Sequence, residues 1–427
     1  MGAFSRANSA TRSKSVKSAL SGLALLGVSA LVLSGCASSS DSDAGEGSDL
    51  SLKVGTILPQ TGTLAVLGPP EFGGVDLAIK EINDAKAGIK ISVEHKDSGD
   101  TTTDIATQSA TALIADGVSV IIGAASSGVS KTFIDQVTQA GIVQISPANT
   151  SPDFTDYPDD GYYFRTAPSD VLQGKILGNK ILEDGKTDVA VLYMNDAYGI
   201  GLYDNLKLSL EDGGASIVGE QIFEPSATDF TSAIQALLAT SPDALVVISF
   251  NEITTIAEQL AGQGFDFSTL YGTDGNYGII GEADTNVDIA GAQFTNPGVL
   301  APEDFQTRLQ DLVTEQGDPE LEVFSYAAEA YDATVLSALA AIAGGATDGA
   351  TVRDNLKAVS EGGTECDTFA DCAALLADDA SADIDYNGVS GPITFDDNGD
   401  PTEAYVSIFQ YSTGNVSEGI DQVYGKL

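Results

Sequence analysis

The sequence predicts an α/β protein made of two parallel-sheet units of similar size. Three observations predict it. Short β-branched runs alternate with longer stretches whose apolar residues recur every three to four positions. A Pro-rich segment, 146–168, splits this series in two. The 427-residue chain is long enough for two ordinary domains. Strand and helix in alternation close as right-handed crossovers, which places helices on the faces of mostly parallel sheets.

In the first unit, 52–57, 89–94, 118–122 and 142–145 read as strands, and 72–83, 102–115 and 128–140 as helices. Within 102–115, Ile105, Ala106, Ala110, Leu113 and Ile114 form one helical face. After the Pro-rich break come helix 171–183, strand 188–193, helix 200–211 and strand 216–223. Helix 230–239, strand 244–250, helix 253–262 and strand 269–272 complete the second unit. Beyond Pro302 the pattern turns helical (305–315, 324–343, 351–359). It ends in strand-like pieces, 392–395 and 404–411, around an acidic turn at 396–401. That turn suggests calcium, but it lacks a distal glutamate at the ligand offset, so the spacing predicts a solvated turn.

The chain start has a different character. Arg6, Arg12, Lys14 and Lys17 precede an apolar stretch, 19–33, shorter than the ~20 residues needed to span a bilayer. A charged start, a short apolar core and small residues describe an export signal. The run Leu33-Ser34-Gly35-Cys36 resembles a bacterial lipobox, which implies removal of 1–35 and lipidation of Cys36. An ordinary secretory signal with a nearby cysteine is the alternative. Residues 36–49 are almost wholly small or acidic and read as a disordered tether. The expected location is the extracytoplasmic face of the cell membrane, lipid-anchored.

Nineteen Lys and Arg against 62 Asp and Glu give a net charge of −43. Removing the leader takes four cations and no anions, leaving −47. Nucleic acid is excluded as a partner, because phosphate binding needs a basic face. With Cys36 assigned to lipid, Cys366 and Cys372 remain as a pair in an exported protein, where disulfides persist. So short a loop stabilises by about 2 kcal/mol. A metal or redox role for the pair is the alternative.

Catalytic equipment is sparse: one histidine, His95, no tryptophan, and no His/Cys cluster at metal-ligand spacing. The run Gly123-Ala-Ala-Ser126-Ser127-Gly128 lacks the Gly-x-Ser-x-Gly spacing of a nucleophile elbow. A triad there would need His95, which reads as a surface or hydrogen-bonded histidine at the end of a strand. The expectation is a protein that is not an enzyme and needs no cofactor or metal.

Ligands of open parallel sheets bind beyond the carboxyl ends of the strands. The loops at those ends carry 123–128, Ser146-Pro-Ala-Asn-Thr150-Ser-Pro, Asn195-Asp-Ala-Tyr198-Gly, Phe250 and Asp274. Together they offer hydroxyls and amides for a carboxylate, an acidic partner for an ammonium, and aromatic walls.

From 50 to 411 the chain resembles the type I periplasmic binding proteins, specifically the branched-chain amino-acid receptors of ABC importers. The resemblance is carried by Val54-Gly-Thr-Ile-Leu-Pro-Gln-Thr-Gly62, by 118–152, by Tyr198-Gly199 and Asp274-Gly275, and by Gly391-Pro-Ile-Thr-Phe-Asp396. It implies two doubly wound parallel-sheet lobes joined by three hinge crossovers. Lobe 1 would comprise 50–168 and 298–400, and lobe 2 would comprise 169–297 and 401–427. It also implies a small amino acid, branched-chain or aliphatic, closed between the lobes of a monomer and delivered to ABC permease subunits.

Carried across, the family's site implies that Ser127 and Thr150, with the backbone of Ala148 and with Ser126 beside them, hold an α-carboxylate. Asp274 takes the ammonium, Tyr198 and Phe250 cover the ligand from lobe 2, and Leu67 lines the side-chain pocket. Asp274 is one methylene shorter than the family's usual glutamate, and Phe250 stands where tyrosine is common. The alternatives are a same-fold sensory receptor for another solute (an amide, a urea-like molecule or an aromatic acid) and a serine hydrolase using Ser126 or Ser127.

Overall fold

The computed structural model describes residues 50–281, 286–379 and 382–427. The predicted leader, Cys36 and the tether lie outside them. The chain begins with β1 (Leu50–Leu58), α1 (Gly68–Ala85), β2 (Ile89–Asp97), α2 (Ile105–Asp116) and β3 (Val120–Gly123). It continues through α3 (Ser127–Ser130), α4 (Ile134–Gln139), β4 (Val143–Ser146) and β5 (Tyr163–Arg165). These five strands form one all-parallel sheet, ordered β2-β1-β3-β4-β5.

A second series follows: α5 (Asp170–Glu183), β6 (Asp188–Met194), α6 (Ala197–Asp212), β7 (Ser216–Phe223) and α7 (Thr231–Leu238). Next come β8 (Ala244–Ile248), α8 (Glu252–Gly262), β9 (Leu270–Gly272) and β10 (Gln293–Pro297). The chain then adds α9 (Glu303–Gln316), α10 (Ala327–Gly344), α11 (Gly349–Leu356), β11 (Thr364–Cys366), α12 (Phe369–Asp378) and β12 (Ile384–Tyr386). It ends with the hairpin β13 (Glu403–Ser412) and β14 (Val416–Lys426). The second sheet has seven strands, β14-β13-β10-β9-β8-β6-β7, parallel from β10 to β7 and antiparallel at β13 and β14.

Each sheet has its own core. Leu52, Val54, Ile122 and Ile145 of the first sheet pack with Val75 and Ile82 of α1 and with Leu336 and Leu339 of α10. Val189, Val191, Leu245 and Val247 of the second pack with Leu202 and Leu206 of α6 and Ile256 and Leu260 of α8. Helix α10 belongs to the first core although it follows the strands of the second. The chain therefore passes between the lobes after β5, after β10 and before β13, as three crossovers require.

Several expectations change in detail. The helix expected over 128–140 is two, α3 and α4, because the backbone leaves helical geometry at Phe133 (φ −135°). Residues 392–395 are not a strand; Phe395 makes only an isolated bridge to Pro401 across the acidic turn. That turn is occupied by protein partners. Asp396 Oδ1 accepts the N–H groups of Asn398 (2.7 Å) and Asp400 (3.0 Å). Asp400 forms a two-pronged ion pair with buried Arg165 (2.6 Å each). Cys366 and Cys372 are joined as a disulfide that ties β11 to α12.

Candidate functional site

The loops at the carboxyl ends of β1, β3 and β4 face those after β6, β8 and β9. The β3 and β4 loops are fastened together first. Asn149 Nδ2 donates to the carbonyls of Ala124 (3.0 Å) and Ala125 (2.8 Å), and Ser146 Oγ donates to Ala124 O (2.7 Å). Ser126 caps α3, its Oγ accepting from Val129 N–H (3.4 Å). Ser127 Oγ accepts from Ser151 N–H (3.3 Å), which leaves its own hydrogen to donate.

On the other side, Asp196 caps α6 by accepting from Gly199 N–H (2.8 Å), which places Tyr198 in the first turn. Its ring stacks on Phe250, with centroids 5.4 Å apart and planes 13° from parallel. Asp274 follows β9, where Thr273 and Asn276 form a capping box. Its Oδ1 accepts from Gln173 Nε2 (2.9 Å) and Tyr198 Oη (2.8 Å), and its Oδ2 from Tyr326 Oη (2.7 Å). Burial raises the carboxyl's pKa, and these three donors pull it back toward the ionised form.

Leu67, Ser126, Ser127, Ala148, Tyr198, Phe250 and Asp274 line a single cavity. Leu64, Ala125, Gly275 and Tyr326, which sequence reasoning missed, complete its wall. Thr150 stands apart. It is buried, and its hydroxyl donates to Asp170 Oδ2 (3.0 Å), a contact absent from the expected carboxylate site. Asp170 is a second buried carboxyl, pushed well up by burial and by the neighbouring charge of Asp274; its Oδ1 has no hydrogen-bond partner. The cavity measures only about 10 Å³, room for about one water. The cleft is shut.

Asp170, Gln173 and Tyr326 share a reason for being missed. Asp170 and Gln173 lie on a helix that starts at a crossover, and Tyr326 is the left-handed (φ 62°) residue that starts α10. Asp170 and Gln173 follow β5, a strand that the Pro-rich segment hid, and Tyr326 follows no strand. His95, by contrast, is a structural residue. Its Nδ1 pairs with Thr56 Oγ1 (2.9 Å) and its Nε2 with Asp76 Oδ1 (3.0 Å). A hydrolase built on Ser126 or Ser127 has no free imidazole to draw on. Among the described residues no cluster of three His, Cys, Asp or Glu side chains is arranged for a metal.

A family model described as periplasmic binding protein matches residues 51–415. The chain belongs to that family. Among its relatives is the Leu/Ile/Val-binding protein homolog 1 of Brucella abortus, 28% identical over 371 residues, which covers 84% of this chain and 90% of that protein. The leucine-specific-binding protein of Salmonella typhimurium is 33% identical over 191 residues, 44% of this chain and about half (51%) of that one. Among solved structures, the branched-chain amino-acid substrate-binding protein LivJ of Streptococcus pneumoniae, in complex with isoleucine, has a TM-score of 0.68 at 24% identity. It covers 88% of this chain and all (100%) of that one. A solute-binding protein of R. palustris in complex with 4-hydroxybenzoate has a TM-score of 0.70 at 17% identity over 87% and 97% of the two chains. These structures share the type I fold of two parallel-sheet lobes. Periplasmic binding proteins are solute binders, and this chain is a binding protein rather than an enzyme.

Proposed function

We propose that this periplasmic binding protein captures a small α-amino acid, branched-chain or aliphatic, between lobe 1 (50–168 and 298–400) and lobe 2 (169–297 and 401–427). It then delivers the amino acid, as a monomer, to the membrane subunits of an ABC importer. The observation that carries the reading is Asp274, a buried carboxyl in a cavity whose apolar and aromatic wall includes Leu64, Leu67, Tyr198 and Phe250. In this reading the ammonium pairs with Asp274, while Ser127 and the backbone at Ala148 receive the carboxylate. Thr150, engaged with Asp170, supports that loop from behind. Charge-assisted hydrogen bonds in a closed cleft are strong enough to hold a zwitterion without a facing arginine.

The R. palustris neighbour with a bound hydroxybenzoate suggests a second reading, an aromatic acid, or a sensory role with such a solute. An acid with no ammonium would bring a second carboxyl to the buried Asp274 with no cation between them, which favours the zwitterion. Calorimetry with leucine, its amide and its des-amino analogue tests this. Asp274→Ala should cost 2–5 kcal/mol, at least ~30-fold in affinity. Ser127→Ala should cost about 1 kcal/mol. Undiminished binding by the Asp274 variant, or equal affinity for the des-amino acid, removes the amino-acid reading.

Anchoring through a lipidated Cys36 belongs to the same proposal. Detergent partitioning of wild type and Cys36→Ala checks it, with the variant expected in the aqueous phase. Membrane retention of the variant would rule out the lipid anchor.

A further inference from the structure

Tyr326 lines a second cavity of about 130 Å³ and is the one residue common to both linings. Its polar lining includes Asn296, Gln306, Glu322, Ser325 and Glu329, of which Asn296, Ser325 and Glu329 are buried. Asn296, on β10, is 6% exposed; its Nδ2 donates to Pro297 O (3.0 Å), and its Oδ1 is buried with no partner. Glu329, on α10, is 4% exposed and lies three residues beyond Tyr326. Its backbone carbonyl accepts from Thr166 Oγ1 (2.9 Å), and the residue lines the cavity with its carboxyl close to Gly298. The nearby amide of Gln306 is spent on Ala301 O (2.7 Å). The rest of the wall includes Tyr277, Phe324 and Phe409. An acceptor without a donor is costly when buried, so this wall is short of N–H groups.

We propose that this cavity extends the side-chain pocket, so that beside short branched-chain or aliphatic residues, which end before it, the protein takes longer α-amino acids whose side chain ends in an N–H donor, an amide or an amine. The inference rests on the reading of Asp274 as the ammonium partner. In the closed cleft, Tyr326 Oη occupies Asp274 Oδ2 at 2.7 Å, so an arriving ammonium competes with the phenol for that oxygen. Once released, the phenol no longer closes the partition. The ligand's aliphatic stem then lies along Leu64, Leu67 and Phe250, and its end reaches Asn296 Oδ1 and Glu329. A long side chain ending in a methyl would leave Asn296 Oδ1 bare, whereas an N–H donor satisfies it; a site built this way discriminates against the analogue lacking the donor. Burial raises the Glu329 carboxyl to about 8, so it is largely neutral at pH 7 and suits an amide, while an amine would draw it into ionising.

The test is a calorimetric panel of L-glutamine and L-norleucine, which match in length and differ at the end, and L-lysine, one atom longer, with L-leucine as reference. Glutamine or lysine is expected to bind at least tenfold tighter than norleucine; which of them does so identifies amide or amine. Asn296→Leu and Glu329→Met, which remove the acceptors without opening a cavity, should each erase that preference and leave leucine unchanged. Norleucine binding as tightly as both polar ligands in the wild type overturns the subsite, whether or not the variants fold. So does a preference that persists in both variants. Aliphatic binding with the polar ligands refused removes the subsite alone, whereas failure of every amino acid to bind removes the reading of Asp274 with it.

Discussion

Arg165 is fully buried, and all five of its N–H groups are used. Nε and Nη2 reach the two oxygens of Asp400 (2.6 Å each), Nη1 reaches the carbonyls of Asn149 (3.3 Å) and Ser151 (2.8 Å), and Nη2 also meets Thr155 (3.2 Å). One guanidinium thus holds the loop carrying Ala148 and the acidic turn that precedes β13. Removing one partner of a buried pair leaves an uncompensated charge, at a cost of 3–5 kcal/mol. Asp400→Asn should therefore lower stability by about that amount in urea unfolding and weaken ligand binding through the displaced loop. A loss under ~1 kcal/mol, the range of exposed pairs, would show the pair to be dispensable. This arginine was not legible as structural, because its partner lies 235 positions away. The site residues divide the same way. Ser127, Tyr198, Phe250 and Asp274 were readable because topology alone puts strand-end loops together. Asp170, Gln173 and Tyr326 reach the site from helix starts, whose orientation depends on where the crossovers run.

At the scale of elements, legibility followed burial pattern. Strands β1, β3, β4, β6 and β8 are covered on both faces, and their β-branched runs are unmistakable. Strand β14 was missed because it is an edge strand, mostly exposed and polar, with no alternation to read. Strands β5 and β10 were hidden for another reason: both are short, and the prolines beside or within them read as loop. Helix α12, tied to β11 by the disulfide, sits in a segment that local pattern left blank. Helix α10 was legible as a helix but not in its packing. It is buried almost all round because its small residues let α1 come close, and a Cβ at Gly74 would meet Ala327 O at 2.2 Å. Alanine-rich composition announces such contact without naming the partner.

The molecule as a whole stands in a closed state, and contacts across the cleft say what holds it shut. Asn251 N–H donates to Thr63 O (3.2 Å), Tyr326 reaches Asp274 (2.7 Å), and Thr150 reaches Asp170 (3.0 Å). Gly201 of α6 presses on the opposite lobe, where a Cβ would meet Pro152 Cδ at 2.6 Å. A cavity of about 10 Å³ admits no amino acid, so binding requires an open state, and affinity depends on how readily the protein then closes. Gly201→Ala separates these two steps. Alanine favours the helix by about 1 kcal/mol, so it does not weaken lobe 2 when the cleft is open. In the closed state its methyl collides with a rigid proline ring, and the population shifts toward open. A closure penalty near 1.4 kcal/mol lowers affinity about tenfold. The expected outcome is an unfolding temperature at or above that of wild type, weaker ligand binding by calorimetry, and a larger radius of gyration by small-angle scattering with ligand present. Unchanged affinity and an unchanged radius would show that α6 and the Pro152 loop do not set closure. A lowered unfolding temperature would place the clash within the lobe instead of across the cleft.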